Sequence, residues 1–302
     1  MTHAHGISGG EADASRDRRP LKIAFGLVLS FLIVQVAAGF WTGSLALLSD
    51  AGHMASDALG IGMALGAVVA ANQASVKGSR TYGLYRLEIL AALANAGLVF
   101  GVGAYVVLEA FKRWGDPSDV DVVPMLVVAI LGLVVNVVVW RILRSGAEAS
   151  LNMEGAMLEA VADLAGSVAV IIAAIVIATT GWVQADAVVA AAIGLFVLPR
   201  AWRLGRRALR VILQFTPEGL DIDAVRRDLM GLEGVVDVHD LHVWTLTSAM
   251  DVASVHLMTT TAADPHRVLD QARSMLASDF GIEHATLQVE PHTHEGCTEL
   301  AY

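Results

Sequence analysis

Two aspartates and one histidine lie within eight residues of each other in an apolar stretch of the chain, SDAGHMASDA at residues 49–58. Asp50, His53 and Asp57 follow one another at intervals of three and four residues, so on a helix they would share one face. Ionisable side chains in an apolar segment long enough to span a membrane are costly to bury and usually serve a function. Such a group could bind divalent cations, protons or both.

A second pair of carboxylates, Glu159 and Asp163, lies four residues apart in another apolar stretch, SLNMEGAMLEAVADLAGSV. If the two stretches face each other, the pair joins His53 and Asp57 to give one nitrogen and three carboxylates. That set suits a four-coordinate divalent cation.

The alternative is an interhelical network of salt bridges and hydrogen bonds. His53 is the only basic group in the set, so the carboxylates would repel one another and take up protons unless a cation were bound. We therefore favour the cation site over the network. Asn95 and Asn136, in two further apolar segments, are expected to form interhelical hydrogen bonds.

The composition indicates a membrane protein that crosses the bilayer several times. Of 302 residues, 55% are hydrophobic and 17% charged, and the mean hydropathy is +0.60. The 20 Lys/Arg and 30 Asp/Glu divide into 16 and 15 up to residue 215, and 4 and 15 after it. Seven of the ten histidines also lie after residue 215. The chain is therefore expected to have a membrane part followed by an acidic, histidine-bearing soluble part.

Six apolar segments approach the ~20 residues that a helix needs to cross the hydrocarbon core. They are Ile23–Trp41, Ser44–Ala71, Leu87–Phe111, Val122–Trp140, Ala156–Thr180 and Val183–Pro199. Lys and Arg cluster before the first segment and after the second, fourth and sixth, so the positive-inside rule predicts that both termini are cytoplasmic.

The residues after Phe215 predict a small α+β domain. IDAVRRDLMGL is typical of an amphipathic helix, and VVDVHDLHVWTLT and MDVASVHLMTT of strands. A second helix is expected in DPHRVLDQARSMLASDF and a last strand in ATLQVEP. The order α-β-β-α-β is of ferredoxin-like type.

Four motifs, taken together and in this order, resemble the cation diffusion facilitators, specifically their zinc-transporting branch. They are SLALLSDAGHMASDALG, TYGLYRLEILAALANAG, NMEGAMLEAVADLAGS and VVDVHDLHVWTLT. The resemblance implies a homodimeric metal/proton antiporter with six transmembrane helices and a cytoplasmic ferredoxin-like domain. It also implies a transport site formed by His53 and Asp57 with Glu159 and Asp163, with Asp50 next to the site rather than a ligand.

The predicted organisation is a cytoplasmic tail at 1–20, a transport domain at 21–213, a ferredoxin-like domain at 214–291 and a mobile tail at 292–302. The chain is expected in a bacterial inner membrane, with lipid, divalent metal ions and a second copy of itself as partners and no nucleic acid. Zn²⁺ is the expected substrate and a regulatory ligand, and protons are the counter-ion. We expect a secondary transporter rather than an enzyme.

Glu159 departs from the resembled branch, whose members usually have histidine at this position. A glutamate makes the site harder and more anionic, which could admit Mn²⁺, Fe²⁺, Co²⁺ or Cd²⁺ beside Zn²⁺. Zinc stays the first choice because His53 is retained. Some relatives have another metal site in the loop after the second segment, but NQASVKGSRTYG contains no His, Asp, Glu or Cys, so we predict that this site is absent.

In the soluble domain, the resemblance implies a second metal site at His239, His256 and Glu290. Gln288 replaces a histidine of some relatives, which argues against a full binuclear site. Because His239 and His242 are an odd number of residues apart, the two are expected on opposite faces of a strand. The alternative is that these histidines only pack or form hydrogen bonds. The tail residues His292, His294 and Cys297 could capture metal or simply be solvated.

Two other functions are compatible with intramembrane carboxylates. An intramembrane metalloenzyme would need a metal-bound water and a general base, and the chain contains no HExxH motif. A metal-gated receptor would use the same residues without moving metal. Only a transport assay separates the receptor from a carrier.

Overall fold

The structure is a computed structural model of the chain, and it describes residues 18–72, 82, 85–116, 119–144, 151–247 and 250–293. These residues form two compact units. The first contains the described residues within Met1–Lys77 and Ala91–Arg206, and the second those within Gly78–Leu90 and Arg207–Tyr302.

Six long helices account for the apolar part of the sequence. They are α1 Arg18–Thr42, α2 Leu45–Asn72, α3 Tyr85–Gly115, α4 Val122–Arg144, α5 Leu151–Thr180 and α6 Gln184–Ile212. Among the described residues, five of them, all but α2, contain a stretch long and apolar enough to cross a membrane. The chain is therefore a multi-pass membrane protein, and the assignment of α2 as a sixth span stays a prediction.

Helix α6 continues beyond the predicted end of the last segment. The sequence placed that end at Pro199, but the helix runs on to Ile212 with Pro199 in its interior. Proline removes one backbone hydrogen bond, a loss that neighbouring helices can compensate in membrane proteins. The residues that follow are mostly Ala, Leu and Arg, which are strong helix formers, so the helix is not interrupted.

Helices α1, α2, α4 and α5 form one packed group, in which α1 contacts α2 and α4, and α5 contacts α2 and α4. Small and aliphatic side chains fill the space between them, including the fully buried Met54 of α2 and Ala24 of α1. The predicted amide contacts are confirmed: Asn136 Nδ2 donates to Ser167 Oγ at 3.2 Å, and Asn95 Nδ2 approaches Ser56 Oγ at 3.5 Å. Helices α3 and α6 approach closely at Gly194, where a Cβ would lie 2.9 Å from Val107 Cγ2.

The short turn between α1 and α2 is held from two sides. Gly43 has a φ of 69°, a left-handed conformation that favours glycine, and Arg113 Nη1 of α3 donates to its carbonyl oxygen at 2.6 Å. Asp186, near the start of α6, accepts hydrogen bonds from Ser44 Oγ at 2.6 Å and from the amides of Leu45 and Ala46 at 2.7 and 3.2 Å. The buried Asp186 carboxylate thus caps the first turn of α2 from another helix.

The second unit is a three-stranded sheet with two helices. Its elements are α7 Ile222–Met230, β1 Val235–Thr247, β2 Met250–Thr259, α8 Pro265–Phe280 and β3 His284–Pro291. Strand β2 lies in the middle, antiparallel to β1 and parallel to β3. The predicted order α-β-β-α-β is confirmed, whereas its assignment to the ferredoxin-like fold stays a prediction.

The two helices of this unit share one hydrophobic core with one face of the sheet. Side chains of α7 and α8, among them Leu229 and Leu276, are fully buried with Val255 and Leu257 of β2. Both helices begin at aspartate caps, because Asp221 accepts from two backbone amides and Asp264 from one. The opposite face of the sheet, the polar face, lies outside this core and carries polar side chains, including His239 and Glu290.

Replacing Asp186 by alanine should destabilise the membrane unit. Three donors that the carboxylate accepts from would lose their partner, and the loss of a cap together with buried unsatisfied amides costs about 2 kcal/mol of unfolding free energy. We expect a lower melting temperature in detergent for Asp186→Ala. The exposed Asp119→Asn serves as control and should melt like the unaltered protein. Equal melting of Asp186→Ala and the control would contradict the capping role.

Candidate metal centres

Three predicted ligands meet in the membrane unit. His53 Nδ1 lies 2.8 Å from Asp57 Oδ2 and 3.3 Å from Asp163 Oδ1. One ligand atom from each of the three residues lies within 4.8 Å of the others, and all three side chains are buried. An imidazole nitrogen and two carboxylates at this separation form a set that a divalent cation can bind.

Helix geometry and helix packing together produce this cluster. His53 and Asp57 are one turn apart on α2, so their side chains are neighbours, and the packing of α5 against α2 brings Asp163 to them. The approach depends on Gly166 of α5, where a Cβ would lie 2.6 Å from Asp50 Oδ1. Asp50 is in turn held by Gln35 of α1, whose Nε2 donates to Oδ2 at 2.6 Å.

The cluster leaves one buried oxygen unsatisfied. Within the described part of the chain, Asp163 Oδ1 has no hydrogen-bond partner, although it faces His53 at 3.3 Å. An unsatisfied carboxylate oxygen away from water is costly, and a bound cation would compensate for it. This arrangement fits metal binding better than a self-sufficient hydrogen-bond network.

The fourth predicted ligand cannot be placed. The backbone of Glu159 belongs to α5, one turn before Asp163, but its side chain lies outside the described residues. Its role as a ligand stays a prediction.

Arg200 is close to this site and was missed by the sequence analysis, which counted it as a flanking charge after the last span. Its Nη1 lies 3.3 Å from His53 Nε2, on the opposite edge of the imidazole ring from the two aspartates. The helical repeat could have found it, because Arg200 follows the inward-facing Asp186 by fourteen residues, close to four full turns. Because the last segment was expected to end at Pro199, Arg200 was placed outside the helix.

A second cluster lies on the polar face of the three-stranded sheet. His239 and His256 are register partners in β1 and β2, with ring centroids 5.3 Å apart. The Glu290 carboxylate of β3 is close to both rings, with Oε1 3.1 Å from His256 Nδ1 and Oε2 3.8 Å from His239 Nε2. The three predicted residues are thus brought together, and the buried His239 Nε2 has no hydrogen-bond partner among the described residues.

The expectation that His239 and His242 face opposite sides of the sheet is wrong. His239 pairs with His256 and His242 pairs with Ser254, so β1 advances three residues while β2 advances two. The extra residue is a bulge near Asp240, which has a φ of 49°. Both histidines therefore lie on the polar face. His239 belongs to the cluster because it pairs with His256, not because it lies on a different face from His242.

Gln288 lies in the position expected to weaken a binuclear site. It pairs with His256 in the sheet, and its Nε2 donates to Glu290 Oε1 at 2.6 Å. His292 is exposed, and its amide donates to Thr259 O at 2.9 Å. His294, Cys297 and, apart from Asn72 and Tyr82, the loop NQASVKGSRTYG lie outside the described residues, so the predictions for the tail and the loop stay untested.

Comparison with known proteins identifies the family of the chain. Residues 21–213 match the cation efflux transmembrane domain, and residues 217–292 match the cytoplasmic domain of cation efflux proteins. The chain belongs to the cation efflux family, the cation diffusion facilitators that its motifs resemble. This is a family of transporters, not enzymes.

Curated relatives cover nearly the whole chain. The metal cation efflux system protein CzcD of Cupriavidus metallidurans is 44% identical over 95% of this chain and 89% of its own length. The zinc transporter ZitB of Escherichia coli is 36% identical over 96% and 93%. The cadmium, cobalt and zinc/H(+)-K(+) antiporter of Bacillus subtilis is 34% identical over 95% and 93%.

One solved structure among the matches is the metal-bound C-terminal domain of the CzcD transporter from the first of these species. It is 39% identical, covers 24% of this chain and 99% of its own, and has a TM-score of 0.23.

Gly166→Ala should disturb the membrane cluster. The added methyl group would lie 2.6 Å from Asp50 Oδ1, so either the Gln35–Asp50 hydrogen bond or the packing of α5 on α2 must give way. Overpacking of this kind costs about 1–3 kcal/mol. We expect a lower melting temperature and weaker Zn²⁺ binding in detergent. Gly101→Ala is the matched control, since a Cβ there meets nothing within 4 Å among the described residues. If the two variants behaved alike, the tight contact at Gly166 would not matter.

Proposed function

We propose that this chain exports divalent metal cations from the cytoplasm in exchange for protons, with Zn²⁺ as the main substrate. The observation that carries the proposal is the buried cluster of His53, Asp57 and Asp163, built from two apolar helices of a cation efflux protein. Relatives named as zinc transporters and as a metal/H(+) antiporter support both the metal and the counter-ion.

The proposed architecture completes the membrane domain with α2 as a sixth span, giving six spans within residues 21–213. Both termini would be cytoplasmic, with tails at 1–20 and 292–302 and a ferredoxin-like domain at 214–291. The exposed arginines after Pro199, including Arg203 and Arg207, support a cytoplasmic end of α6. A bacterial inner membrane is the proposed location.

The proposed transport site consists of His53, Asp57, Glu159 and Asp163. Imidazole favours Zn²⁺ over the hard alkaline-earth cations, whereas the carboxylates tolerate harder metals. The alternative substrates Mn²⁺, Fe²⁺, Co²⁺ and Cd²⁺ follow from Glu159, which adds a third carboxylate. Asp50 is proposed to support the site from its contact with Gln35 rather than to bind the metal.

Proton coupling follows from competition at the same atoms. Metal ligands must lose their protons before they bind, so a metal ion that enters from the cytoplasm releases protons from the site. When the helices open the site to the other side, protons at higher concentration displace the metal. Metal and protons then move in opposite directions without a separate proton channel.

Zinc flux into sealed proteoliposomes tests the proposal directly. With a zinc-sensitive dye and an acidic lumen, vesicles should take up Zn²⁺ through molecules whose cytoplasmic side faces outward, and dissipation of the pH gradient should slow the uptake. Asp57→Asn removes a charged ligand and should lower the rate at least about tenfold. Asp121→Asn is the control, because it makes the same change at an exposed carboxylate.

The outcomes separate the rival functions. Equal flux in Asp57→Asn and the control would place the transport site elsewhere. Flux of Mn²⁺ or Fe²⁺ without Zn²⁺ would contradict zinc as the main substrate. Binding of metal without any flux would favour the metal-gated receptor.

For the soluble unit we propose a regulatory zinc site at His239, His256 and Glu290, at which metal binding favours a closed homodimer. The support is the close approach of three ligand groups on the polar face of the sheet. Gln288 can donate a hydrogen bond to the cluster but lacks a nitrogen lone pair for metal, so a single ion per chain is proposed.

His239→Ala should lower the zinc content of the intact protein by one ion per chain. The reason is that two remaining ligands hold zinc far less well than three. Equilibrium dialysis followed by metal analysis measures the content. His242→Ala is the matched control, since the bulge places it on the same face but outside the cluster. An equal loss in both variants would contradict the proposed ligand set.

A further inference from the structure

Arg200 occupies the free edge of the imidazole ring in the membrane cluster. Its guanidinium Nη1 is 3.3 Å from His53 Nε2, while His53 Nδ1 is 2.8 Å from Asp57 Oδ2. The arginine reaches this position because α6 continues as a helix past Pro199. A fixed positive charge therefore lies beside the proposed transport site.

The hydrogen-bond chemistry determines the state of the ring in this arrangement. A guanidinium group has only donors, and it keeps its proton at any physiological pH. For the contact to be a hydrogen bond, His53 Nε2 must accept through its lone pair, and Nδ1 then carries the proton and donates to Asp57. That hydrogen bond therefore requires a neutral ring in which both nitrogens are engaged.

A metal ion on His53 is incompatible with this contact, whichever nitrogen it binds. If the metal binds Nε2, it takes the lone pair that accepts from Arg200. If it binds Nδ1, the ring proton must move to Nε2, and two donors then face each other across 3.3 Å. In both cases the guanidinium has to leave Nε2 before the site is loaded.

We propose that Arg200 is a tethered counter-cation that a divalent metal displaces from His53. Through this competition Arg200 sets the metal affinity of the site. The inference rests on the proposed transport site. In the unloaded protein the guanidinium partly balances the buried carboxylates of Asp57 and Asp163. In the loaded protein it repels the metal, since two cations in a poorly solvated site interact strongly. Arg200 is thus an affinity-determining residue and not a ligand.

Equilibrium binding of Zn²⁺ to the intact, detergent-solubilised protein at pH 8 tests this role. Binding that disappears in Asp57→Asn is assigned to the membrane site. Arg200→Gln should lower the Kd of that binding by about tenfold, because the competing charge is gone, whereas Arg200→Lys should stay within about threefold of the unaltered protein. Arg203→Gln, which removes an exposed arginine three residues further along α6, should leave the Kd unchanged.

A second measurement needs no variant at Arg200. Arginine modification by phenylglyoxal, followed by peptide mass analysis, reports how accessible each guanidinium is. Saturating Zn²⁺ should accelerate modification of Arg200 in the unaltered protein and leave Arg203 unaffected, and Asp57→Asn should abolish the acceleration. This result would support the displacement even if Arg200→Gln failed to fold.

The contradictory outcomes are distinct from those of the proposed function. If no Zn²⁺ binding depended on Asp57, the proposed transport site would be contradicted, and the role of Arg200 with it. Binding that depends on Asp57 but has an equal or higher Kd in Arg200→Gln would overturn the role of Arg200 alone. The role of Arg200 alone would also be overturned if Zn²⁺ slowed the modification of Arg200 or left its rate unchanged.

Discussion

The cost of burying carboxylates between apolar helices is the constraint on which the membrane unit depends. Asp57 and Asp163 lie away from water, with His53 between them as their shared neighbour. Buried ions persist only when paired and hydrogen-bonded, and this requirement explains the features around them. Glycine at position 166 allows α5 to approach α2, and Gln35 satisfies Asp50 one turn away.

Helix α6 contacts α2 through polar groups at three levels. Asp186 caps the first turn of α2, Ser49 Oγ donates to Ala190 O at 3.1 Å, and Arg200 meets His53 at 3.3 Å. Small and aliphatic residues of both helices, among them Ala46 and Ala190, belong to one buried core cluster. A change in the position of α6 relative to α2 would therefore change the geometry of the metal cluster. It would also alter the capping of α2 by Asp186, because the three contacts join α6 to the first part of α2, from Leu45 to His53.

Sequence reasoning was most successful where the geometry is local. The four-residue spacing of His53 and Asp57 determines that they are neighbours on any helix, and the structure contains that helix. The approach of Asp163 is a long-range contact. It was inferred from the residue types in the two apolar stretches and from the resemblance to a known family, because local spacing alone does not bring two helices together. Arg200 was missed because a single proline was taken as the end of a helix. In a membrane helix the loss of one hydrogen bond does not outweigh a favourable sequence on both sides.

The three-stranded sheet shows how a small backbone irregularity can mislead an argument from alternation. In VDVHDLHVW the apolar residues Val238 and Leu241 are three apart, so the two-residue repeat changes phase between them. That phase change was the visible sign of the bulge near Asp240, and it moves His242 to the face that carries His239. The strand can thus bury Val238 and Leu241 in one core while it presents both histidines to the other face. Strand β1 stays paired with β2 on either side of the bulge, although the register shifts by one residue there, and His239 lies opposite His256. The cluster in the sheet thus depends on strand pairing, whereas the membrane cluster depends on helix packing.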